Sequence, residues 1–181
     1  MNALKFTIPV ILVLGILLAL RLFGVFEVNT EATQSQVQQS DLIAYTDEKL
    51  GFSVNHPKDW SVIQSSEGYV IIGNSADDCL ISVMSTASQL SLAVDVELWT
   101  KSIKNRNTVK ILESKVMTGQ WSYYISWEDN SSGISDSKLF NETYIAKTKN
   151  KTYNLNTTAP RSKYADYPFP EIIKSFKILG Q

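Results

Sequence analysis

The stretch "GFSVNHPKDWSV", residues 51–62, places the only histidine of the chain before a proline and a tryptophan, between two short apolar alternations. Proline fixes its own φ and pushes the preceding residue toward extended backbone. We therefore predict that His56 ends a strand, that Pro57, Lys58 and Asp59 form a turn, and that Trp60 begins the next strand. The expected apolar anchors are Phe52, Val54, Trp60 and Val62. This pattern gives His56 a structural place at the edge of a turn.

Outward from this stretch, short alternating segments separated by turn residues predict an antiparallel sheet. The nine predicted strands are 42–45, 52–55, 60–64, 69–73, 79–86, 109–118, 120–128, 138–148 and 152–158. In 79–86, Ile81 and Val83 face one way while Leu80 and Met84 face the other, which predicts a central strand covered on both sides. In 120–128, the residues expected to share one face are Trp121, Tyr123, Ile125 and Trp127.

Two segments have helical rather than strand periodicity. In residues 91–107, apolar side chains recur at helical spacing behind the N-cap candidate Ser91. These side chains are Leu92, Val96, Trp99 and Ile103. A shorter helix is predicted to begin near Pro170, with Ile172, Ile173 and Phe176 as its apolar face. An antiparallel sheet with few helices is an α+β arrangement.

The first 26 residues form a separate hydrophobic segment. Residues 6–26 are apolar apart from Thr7 and Arg21, and as a helix of about 30 Å they match the hydrocarbon thickness of a bilayer. We predict a single-pass transmembrane helix retained in a cell membrane; a cleaved signal peptide is the alternative. Lys5 before the span favours residues 1–5 in the cytoplasm and an extracytoplasmic carboxyl-terminal domain.

Residues 27–41 are polar and rich in glutamine, which predicts a flexible linker with a reach of about 20 Å. Residues 42–181 remain as one domain. The net charge of −1 and the absence of a dense Lys/Arg block argue against binding to nucleic acid. Cys79 is the only cysteine, so no intramolecular disulfide is possible.

Four segments, taken in order, resemble the signature of PsbP-family domains. They are "YTDEKLGFSVNHPKDWSV" at 45–62, "GQWSYYISWE" at 119–128, "KTKNKTYNLNTTAP" at 147–160 and "IIKSF" at 172–176. The resemblance covers residues 42–178. It implies an α/β/α sandwich with a central antiparallel sheet, here preceded by one transmembrane helix.

The resemblance also implies a non-catalytic role as an extrinsic protein bound to a larger complex. Photosynthetic members bind the lumenal side of photosystem II and help retain calcium and chloride, other members assist assembly, and a Ran-binding nuclear family shares the fold. This chain lacks a transit peptide and has the predicted anchor, which departs from the photosynthetic pattern. We therefore expect a non-enzymatic, membrane-anchored module that binds or assembles a membrane-associated protein complex. The alternatives are a photosystem II-type extrinsic subunit, an extracytoplasmic domain that binds or senses a small ligand or cation, and a hydrolase of unrecognised type.

The sequence contains few candidate catalytic or cation-binding residues. A Cys–His hydrolase would need Cys79 to meet His56, and no activating partner or catalytic motif is visible. Cation binding, with calcium or manganese preferred over zinc, has four candidate ligands. They are His56, Asp59, Asp77 and Asp78. Their spacing matches no recognised site, so no cofactor is expected.

Basic residues are concentrated in the last quarter of the chain. Residues 138–177 contain eight Lys/Arg against three acids, which predicts either a basic surface for an acidic partner or anionic headgroups, or scattered lysines that guard strand edges. The candidates for a partner-binding surface are Lys147, Lys149, Lys151, Arg161 and Lys163. Four Asn-x-Ser/Thr sequons are candidates for glycosylation in an outward-facing domain, at Asn130, Asn141, Asn150 and Asn156.

Overall fold

The computed structural model describes residues 41–64, 68–130 and 138–180. The predicted anchor at 6–26 and all of the linker before residue 41 lie outside the described residues. No helix within the described ranges is long and apolar enough to cross a membrane.

Ten strands and two helices make up the described domain. The strands are β1 (Leu42–Asp47), β2 (Phe52–Pro57), β3 (Ser61–Gln64), β4 (Tyr69–Asn74), β5 (Cys79–Ala87), β6 (Val109–Val116), β7 (Tyr123–Asp129), β8 (Leu139–Lys147), β9 (Lys151–Pro160) and β10 (Lys177–Ile178). The helices are α1 (Leu92–Lys104) and α2 (Phe169–Ser175), and short 3-10 turns span Ser75–Asp77 and Tyr164–Asp166. All nine predicted strands and both predicted helices are present; β10 was not predicted.

Seven strands form the central sheet in the order β3-β4-β5-β9-β8-β7-β6, and every neighbouring pair is antiparallel. Strands β3 to β5 run as a meander to the middle of the sheet. Helix α1 then carries the chain to the far edge, and β6 to β9 return as a second meander until β9 pairs with β5. The prediction that 79–86 is a central strand is confirmed, because β5 lies between β4 and β9.

One face of the central sheet carries the main core, and we call it the small-sheet face. A three-stranded sheet, ordered β1-β2-β10, packs against it together with α2. Its buried centre combines Phe52 of β2, Ile172 of α2 and Leu155 of β9, each fully buried. Ser175 joins α2 to β2, because its hydroxyl accepts from the amide of Asn55 at 2.8 Å and donates to the Ile172 carbonyl at 2.7 Å.

The opposite face, which we call the helix face, is covered by α1. Ser91 caps this helix by accepting from the amide of Val94 at 3.4 Å, as predicted. The buried cluster beneath α1 is small and contains Ile103, Ile125 and Trp127. The helix is also held by an ion pair and a hydrogen bond, because the Asp95 carboxylate accepts from Lys147 Nζ at 2.7 Å and from the Thr152 hydroxyl at 2.7 Å.

The domain is therefore α+β with an antiparallel central sheet, as predicted, and one helix forms the layer on one face. The other outer layer differs from the expected helical layer of an α/β/α sandwich. A three-stranded sheet makes up most of it, and α2 adds only seven residues. The difference arises because β1 and β2 form a hairpin that folds back over the central sheet and is closed by β10.

The stretch at 51–62 contains β2 of this layer and connects it to β3 of the central sheet. Gly51 has φ 84°, a left-handed conformation that glycine adopts without steric cost, and an added Cβ would lie 3.1 Å from the Tyr153 hydroxyl. The predicted anchors Phe52, Val54 and Trp60 are buried. Val62 is 39 % exposed, so its prediction as an anchor is wrong. Strand β3 is the edge of the central sheet, and all four of its residues are exposed.

Trp121 also departs from the predicted pattern. It packs into the small-sheet core, whereas Ile125 and Trp127 lie on the helix face. The reason is that the strand begins only at Tyr123, after a turn in which Gly119 has φ 98°. The two-residue alternation does not extend back through this turn, so it does not place Trp121.

Candidate functional site

The candidate cation ligands do not form a cluster in the fold. His56 is 3 % exposed, and its Nδ1 lies 2.8 Å from the carbonyl of Pro57. Asp77 accepts from the Asn74 side chain at 3.0 Å and lies 3.7 Å from Lys163 Nζ. Asp59 and Asp78 are exposed. Across residues 41–64, 68–130 and 138–180, no three His, Cys, Asp or Glu side chains are arranged to hold a metal ion.

Cys79 lies at the start of β5 and is 1 % exposed. Burial raises the pKa of its thiol to about 12, and the nearby carboxylates of Asp77 and Asp59 add to this effect against hydrogen bonds from Asn74 and Tyr167. At neutral pH the side chain is a protonated thiol packed in the small-sheet core. A protonated thiol is a poor nucleophile.

The predicted basic residues fall into two groups at opposite ends of β9. Lys149 is exposed in the β8–β9 turn, and the Lys151 ammonium donates to the Leu50 carbonyl at 3.3 Å. Arg161 and Lys163 follow the other end of the strand. Strand β9 has ten residues, so at about 3.4 Å per residue its two ends are about 30 Å apart.

Lys147 has a different role from the other four. Its side chain is 15 % exposed and pairs with Asp95, which is 6 % exposed. It also donates to the Ser88 carbonyl at 3.0 Å and to Thr152 at 3.1 Å. Burial alone would raise the pKa of Asp95, but hydrogen bonds from Lys147, Thr152 and Ser88 outweigh it and lower that pKa. Lys147 therefore holds α1 against the sheet.

Arg161 is half exposed and stacks on Phe140, with its guanidinium 4.1 Å from the ring centre and 3.7 Å from a Glu128 carboxylate oxygen. The five residues therefore do not make one continuous basic surface, because the length of the β8–β9 hairpin separates them.

The four sequon asparagines occupy different environments. Asn130 and Asn150 are exposed outside the strands, whereas Asn156 is half-buried in β9. Asn141 is 3 % exposed, and its Oδ1 accepts from the Thr158 hydroxyl at 2.7 Å. A glycan on Asn141 would displace this contact, so Asn130 and Asn150 are the sites best placed for modification.

Three tyrosine hydroxyls converge on one carboxylate at the small-sheet face. Glu142 accepts from Tyr124 at 2.8 Å, from Tyr144 at 3.2 Å and from Tyr164 at 3.0 Å. Burial, with smaller contributions from the adjacent Glu142 carboxylate, raises the pKa of Tyr124 to about 12 and raises the pKa values of Tyr144 and Tyr164 further. The phenols stay protonated at neutral pH and hold this part of the sheet together.

Exposed apolar side chains mark a different region. Nine large hydrophobic residues are exposed among the described residues, and five of them lie on β6, on α1 or just before it. These five are Leu90, Val94, Leu98, Leu112 and Val116. Val116 is 75 % exposed, more than any other in this group of nine. These exposed residues are therefore concentrated at two neighbouring elements of the fold, α1 and β6.

A groove of about 700 Å³ runs between α1 and the end of β6. Its walls are mostly apolar, and its rim carries Glu97, Lys101 and Lys104. The apolar lining residues are Leu92, Ala93, Val96, Val116 and Tyr123. We refer to this groove, together with the five exposed apolar residues and the exposed charges of α1 and β6, as the α1–β6 surface.

The α1–β6 surface has an excess of positive charge although the chain as a whole has a net charge of −1. Around the groove the exposed charged residues are Lys101 and Lys104 against Glu97. On the other side of the β6 edge they are Lys110 and Lys115 against Glu113. Lys115 contacts Glu113 at 2.8 Å and lies 4.9 Å from the ring centre of Tyr124. An apolar groove with a basic rim suits an apolar segment that carries carboxylates.

This surface was not predicted, although one local signal for it is present in the sequence. Leu90, Val94 and Leu98 recur every four residues on the side of α1 opposite its buried face. A second apolar stripe on a helix indicates a second contact. The partner element β6 had no such signal, because its position at the sheet edge depends on the strand order.

No protein-family model and no curated protein sequence matches the chain. Solved structures do match it. Cyanobacterial PsbP (CyanoP) from Synechocystis is 17 % identical, with 81 % of this chain and 98 % of that chain covered and a TM-score of 0.54. The Ran-binding protein Mog1p of Saccharomyces cerevisiae is 8 % identical, with 76 % and 95 % covered and a TM-score of 0.54.

A third match, to a protein of Bacteroides thetaiotaomicron, is 17 % identical and has a TM-score of 0.45. It covers 72 % of this chain, which spans about half, 46 %, of the Bacteroides chain. The first two matches cover nearly all of their own chains. The chain therefore has the PsbP-like fold shared by cyanobacterial PsbP and Mog1p, which confirms the resemblance found in its sequence.

Proposed function

We propose that this chain is a membrane-anchored, non-enzymatic binding or assembly module for a membrane-associated protein complex, with its PsbP-like domain outside the cytoplasm. The observation that carries this proposal is the α1–β6 surface, which exposes Val116 in an apolar groove with a basic rim and exposes further apolar residues, Val94 and Leu98, on the outer side of α1. The protein name of Mog1p, a Ran-binding protein of the same fold, supports a protein partner.

The buried state of the most reactive side chains supports a non-enzymatic role. Cys79 is a protonated thiol in the core, and His56 is buried beside the Pro57 carbonyl. Neither side chain is placed to act on a substrate that approaches from solvent.

The proposed anchor is residues 6–26, and its support is the apolar composition and length of that segment. The linker enters the described domain at β1, which belongs to the layer on the small-sheet face. The α1–β6 surface includes the helix on the opposite face of the central sheet. A domain tethered through β1 would therefore present this surface away from the bilayer, where a protein subunit can reach it.

Membrane anchoring is tested by alkaline extraction of membranes that contain the full chain. We expect the full chain to stay in the membrane pellet and a variant lacking residues 2–26 to be released. Protease added outside intact cells should remove the domain, because the orientation predicted from Lys5 exposes it there. Release of the full chain, or protection of the domain from external protease, would contradict this part of the proposal.

Partner binding is tested by pull-down of the full chain from detergent-solubilised membranes. We expect a stable partner with the wild type and loss of that partner from the double variant Lys101→Glu, Lys104→Glu. Lys58→Glu is the matched control, because Lys58 is an exposed lysine in the β2–β3 turn. Recovery of no partner, or equal recovery with all three proteins, would overturn the proposed function or its assignment to this surface.

A further inference from the structure

Strand β6 is the longest edge strand of the described domain. The central sheet ends in β6, with eight residues, and in β3, with four; the small sheet ends in β1, with six, and β10, with two. Edge strands carry backbone groups that no neighbouring strand pairs, so they can accept a further strand. The β6 edge therefore offers more backbone hydrogen bonds than any other edge of this domain.

The pairing of β6 with β7 identifies the backbone groups that face outward. The amide of Met117 donates to the Ser122 carbonyl at 3.1 Å, so the backbone polar groups of Met117 point toward β7. Along an antiparallel strand, the backbone N–H and C=O groups of successive residues point to alternate sides. Ser114 and Val116 therefore direct their amides and carbonyls away from β7, to the open side of the sheet.

The same two residues place an added strand beside the groove. Ser114 pairs with Ile125 and Val116 pairs with Tyr123, so their side chains share the helix face with α1. Alternate side chains of a strand added to β6 would project on that face, over the groove between β6 and α1. Apolar side chains suit this position, because Leu92 and Val96 line the groove.

Charge restricts the kind of strand that fits. Lys101 and Lys104 lie on the groove rim. Lys110 and Lys115 are exposed on β6 and pair with Glu128 and Tyr124, so their side chains lie on the small-sheet face of this edge. Lysines on an edge strand ordinarily prevent pairing with another chain. That role alone does not explain the 75 % exposure of Val116 beside an apolar groove. A segment whose apolar side chains fill the groove would direct its alternate side chains to the small-sheet face, where carboxylates would pair with Lys110 and Lys115.

We propose that the β6 edge binds, by strand addition, an extended segment of a protein partner in which apolar residues alternate with carboxylates. This inference rests on the proposed function and specifies the partner and the mode of binding. The open backbone groups of Ser114 and Val116 favour an extended segment over a helix, since a helix satisfies its own backbone hydrogen bonds.

The test uses the purified full chain in detergent and a displayed library of random nine-residue peptides as the probe. We expect selected peptides to alternate apolar residues with Asp or Glu, and a synthesised selected peptide to bind the chain in solution. Selection of no peptide, or of peptides without excess carboxylates, would overturn the inference.

Ser114→Pro is the decisive variant, since it removes the outward amide but leaves the ladder to β7 intact. We expect it to weaken binding of the synthesised peptide about tenfold, while the matched control Ser114→Ala, which keeps the amide, binds as the wild type does. The double variant Lys110→Glu, Lys115→Glu should weaken binding by a similar factor, because the carboxylates project on the side of β6 that carries these lysines, and Lys58→Glu should not. Equal binding by Ser114→Pro and Ser114→Ala contradicts strand addition.

Amide hydrogen exchange on the wild type provides a second measurement that does not depend on the folding of a variant. Added peptide should slow exchange at Ser114 and Val116, because these amides would donate to the peptide. Slowed exchange at α1 alone would overturn strand addition. A partner recovered in the pull-down but insensitive to Ser114→Pro would likewise reject this inference and leave the proposed function standing.

Discussion

The two faces of the central sheet differ in how their covering layers are attached. On the small-sheet face, aromatic rings pack in two groups within one apolar core. Phe176 lies at the centre of one group, with ring centroids 4.9 Å from Trp121, 5.6 Å from Phe52 and 6.2 Å from Tyr153. The second group includes Trp60 and Phe169, whose ring centroids are 6.1 Å apart. Apolar contact holds this layer in place.

On the helix face, polar contacts replace much of the apolar packing. The Trp127 indole donates to Thr143 at 3.3 Å, Thr143 donates to Asn156 at 2.8 Å, and Asn156 donates to Thr158 at 2.8 Å. The Asp95–Lys147 pair then holds the start of α1. This face buries a smaller apolar cluster and leaves a groove beside the helix.

The difference indicates that the two faces contribute differently to the stability of the domain. The small-sheet face supplies most of the apolar burial that stabilises the domain. The helix face holds α1 with a few directional contacts and leaves apolar side chains such as Val116 exposed, which the proposed partner-binding surface requires. The following variants test this difference, beginning with the largest expected effect.

Phe176→Ala should be the most damaging substitution, because it removes a fully buried ring that contacts three other aromatic residues. We expect the free energy of unfolding, measured by urea denaturation, to fall by about 3–5 kcal/mol. The nearby Leu179→Ala, at a side chain that is 39 % exposed, is the control and should change it by less than about 0.5 kcal/mol. A loss below about 1 kcal/mol at Phe176 would contradict the assignment of stability to this face.

Asp95→Ala should destabilise the helix face by about 3 kcal/mol, since it leaves the Lys147 ammonium largely buried without its carboxylate. Glu97→Ala, at an exposed acid on the same helix, is the control. The pKa of Asp95 is lowered in the folded state from 3.8. Its contribution is therefore present above about pH 4 and is lost as the pH falls through the folded pKa.

Urea denaturation of Asp95→Ala and wild type at pH 7 and near pH 3 measures this pH dependence. The difference in unfolding free energy should narrow at the lower pH. A difference that stays constant, or one that widens on acidification, would show that the carboxylate charge does not hold α1.

Tyr164→Phe should cost about 1 kcal/mol at neutral pH, because it removes one hydroxyl donor to Glu142 and the contact with Thr157. The pKa of Tyr164 is raised in the folded state. Its contribution is complete below the ordinary value of 10.0 and is lost as the pH rises above that value. Thermal unfolding between pH 9 and 11 should therefore show a smaller alkaline loss of stability in Tyr164→Phe than in the wild type.

Val116→Ser should have the smallest effect on stability, within about 0.5 kcal/mol, because the side chain is 75 % exposed. Ile125→Ser, on the adjacent strand and fully buried on the same face, is the matched contrast and should be strongly destabilising. Thermal unfolding of the two variants measures the difference. A large loss of stability in Val116→Ser would mean that this residue serves the fold rather than a partner.

Much of the secondary structure was predictable from the sequence, since the signals are local. The helical spacing of Val96 and Ile103 and the cap at Ser91 suffice to predict α1. Trp121 was placed on the wrong face because a turn precedes the strand, and Val62 was predicted to be buried although β3 lies at a sheet edge. Turn geometry and edge position depend on contacts between distant segments.

The candidate site was less predictable than the fold. The lysines and arginine of residues 147–163 were candidates either for one basic surface or for scattered lysines at strand edges. In the structure Lys147 is paired with Asp95, and β9 separates Lys149 from Lys163. The stripe of Leu90, Val94 and Leu98 was present in the sequence without a partner element. The crossover through α1 places β6 beside this helix at the edge of the sheet.

The sequence by itself determined the antiparallel strands, the two helices and the resemblance to PsbP-family domains, because the spacing of apolar residues and the turn residues act over a few positions. Only the tertiary structure decided which strand forms an open edge, which lysine is buried, and which residues line the groove between α1 and β6. These properties follow from strand order and layer packing, which join residues as far apart as Asp95 and Lys147 and depend on the whole domain.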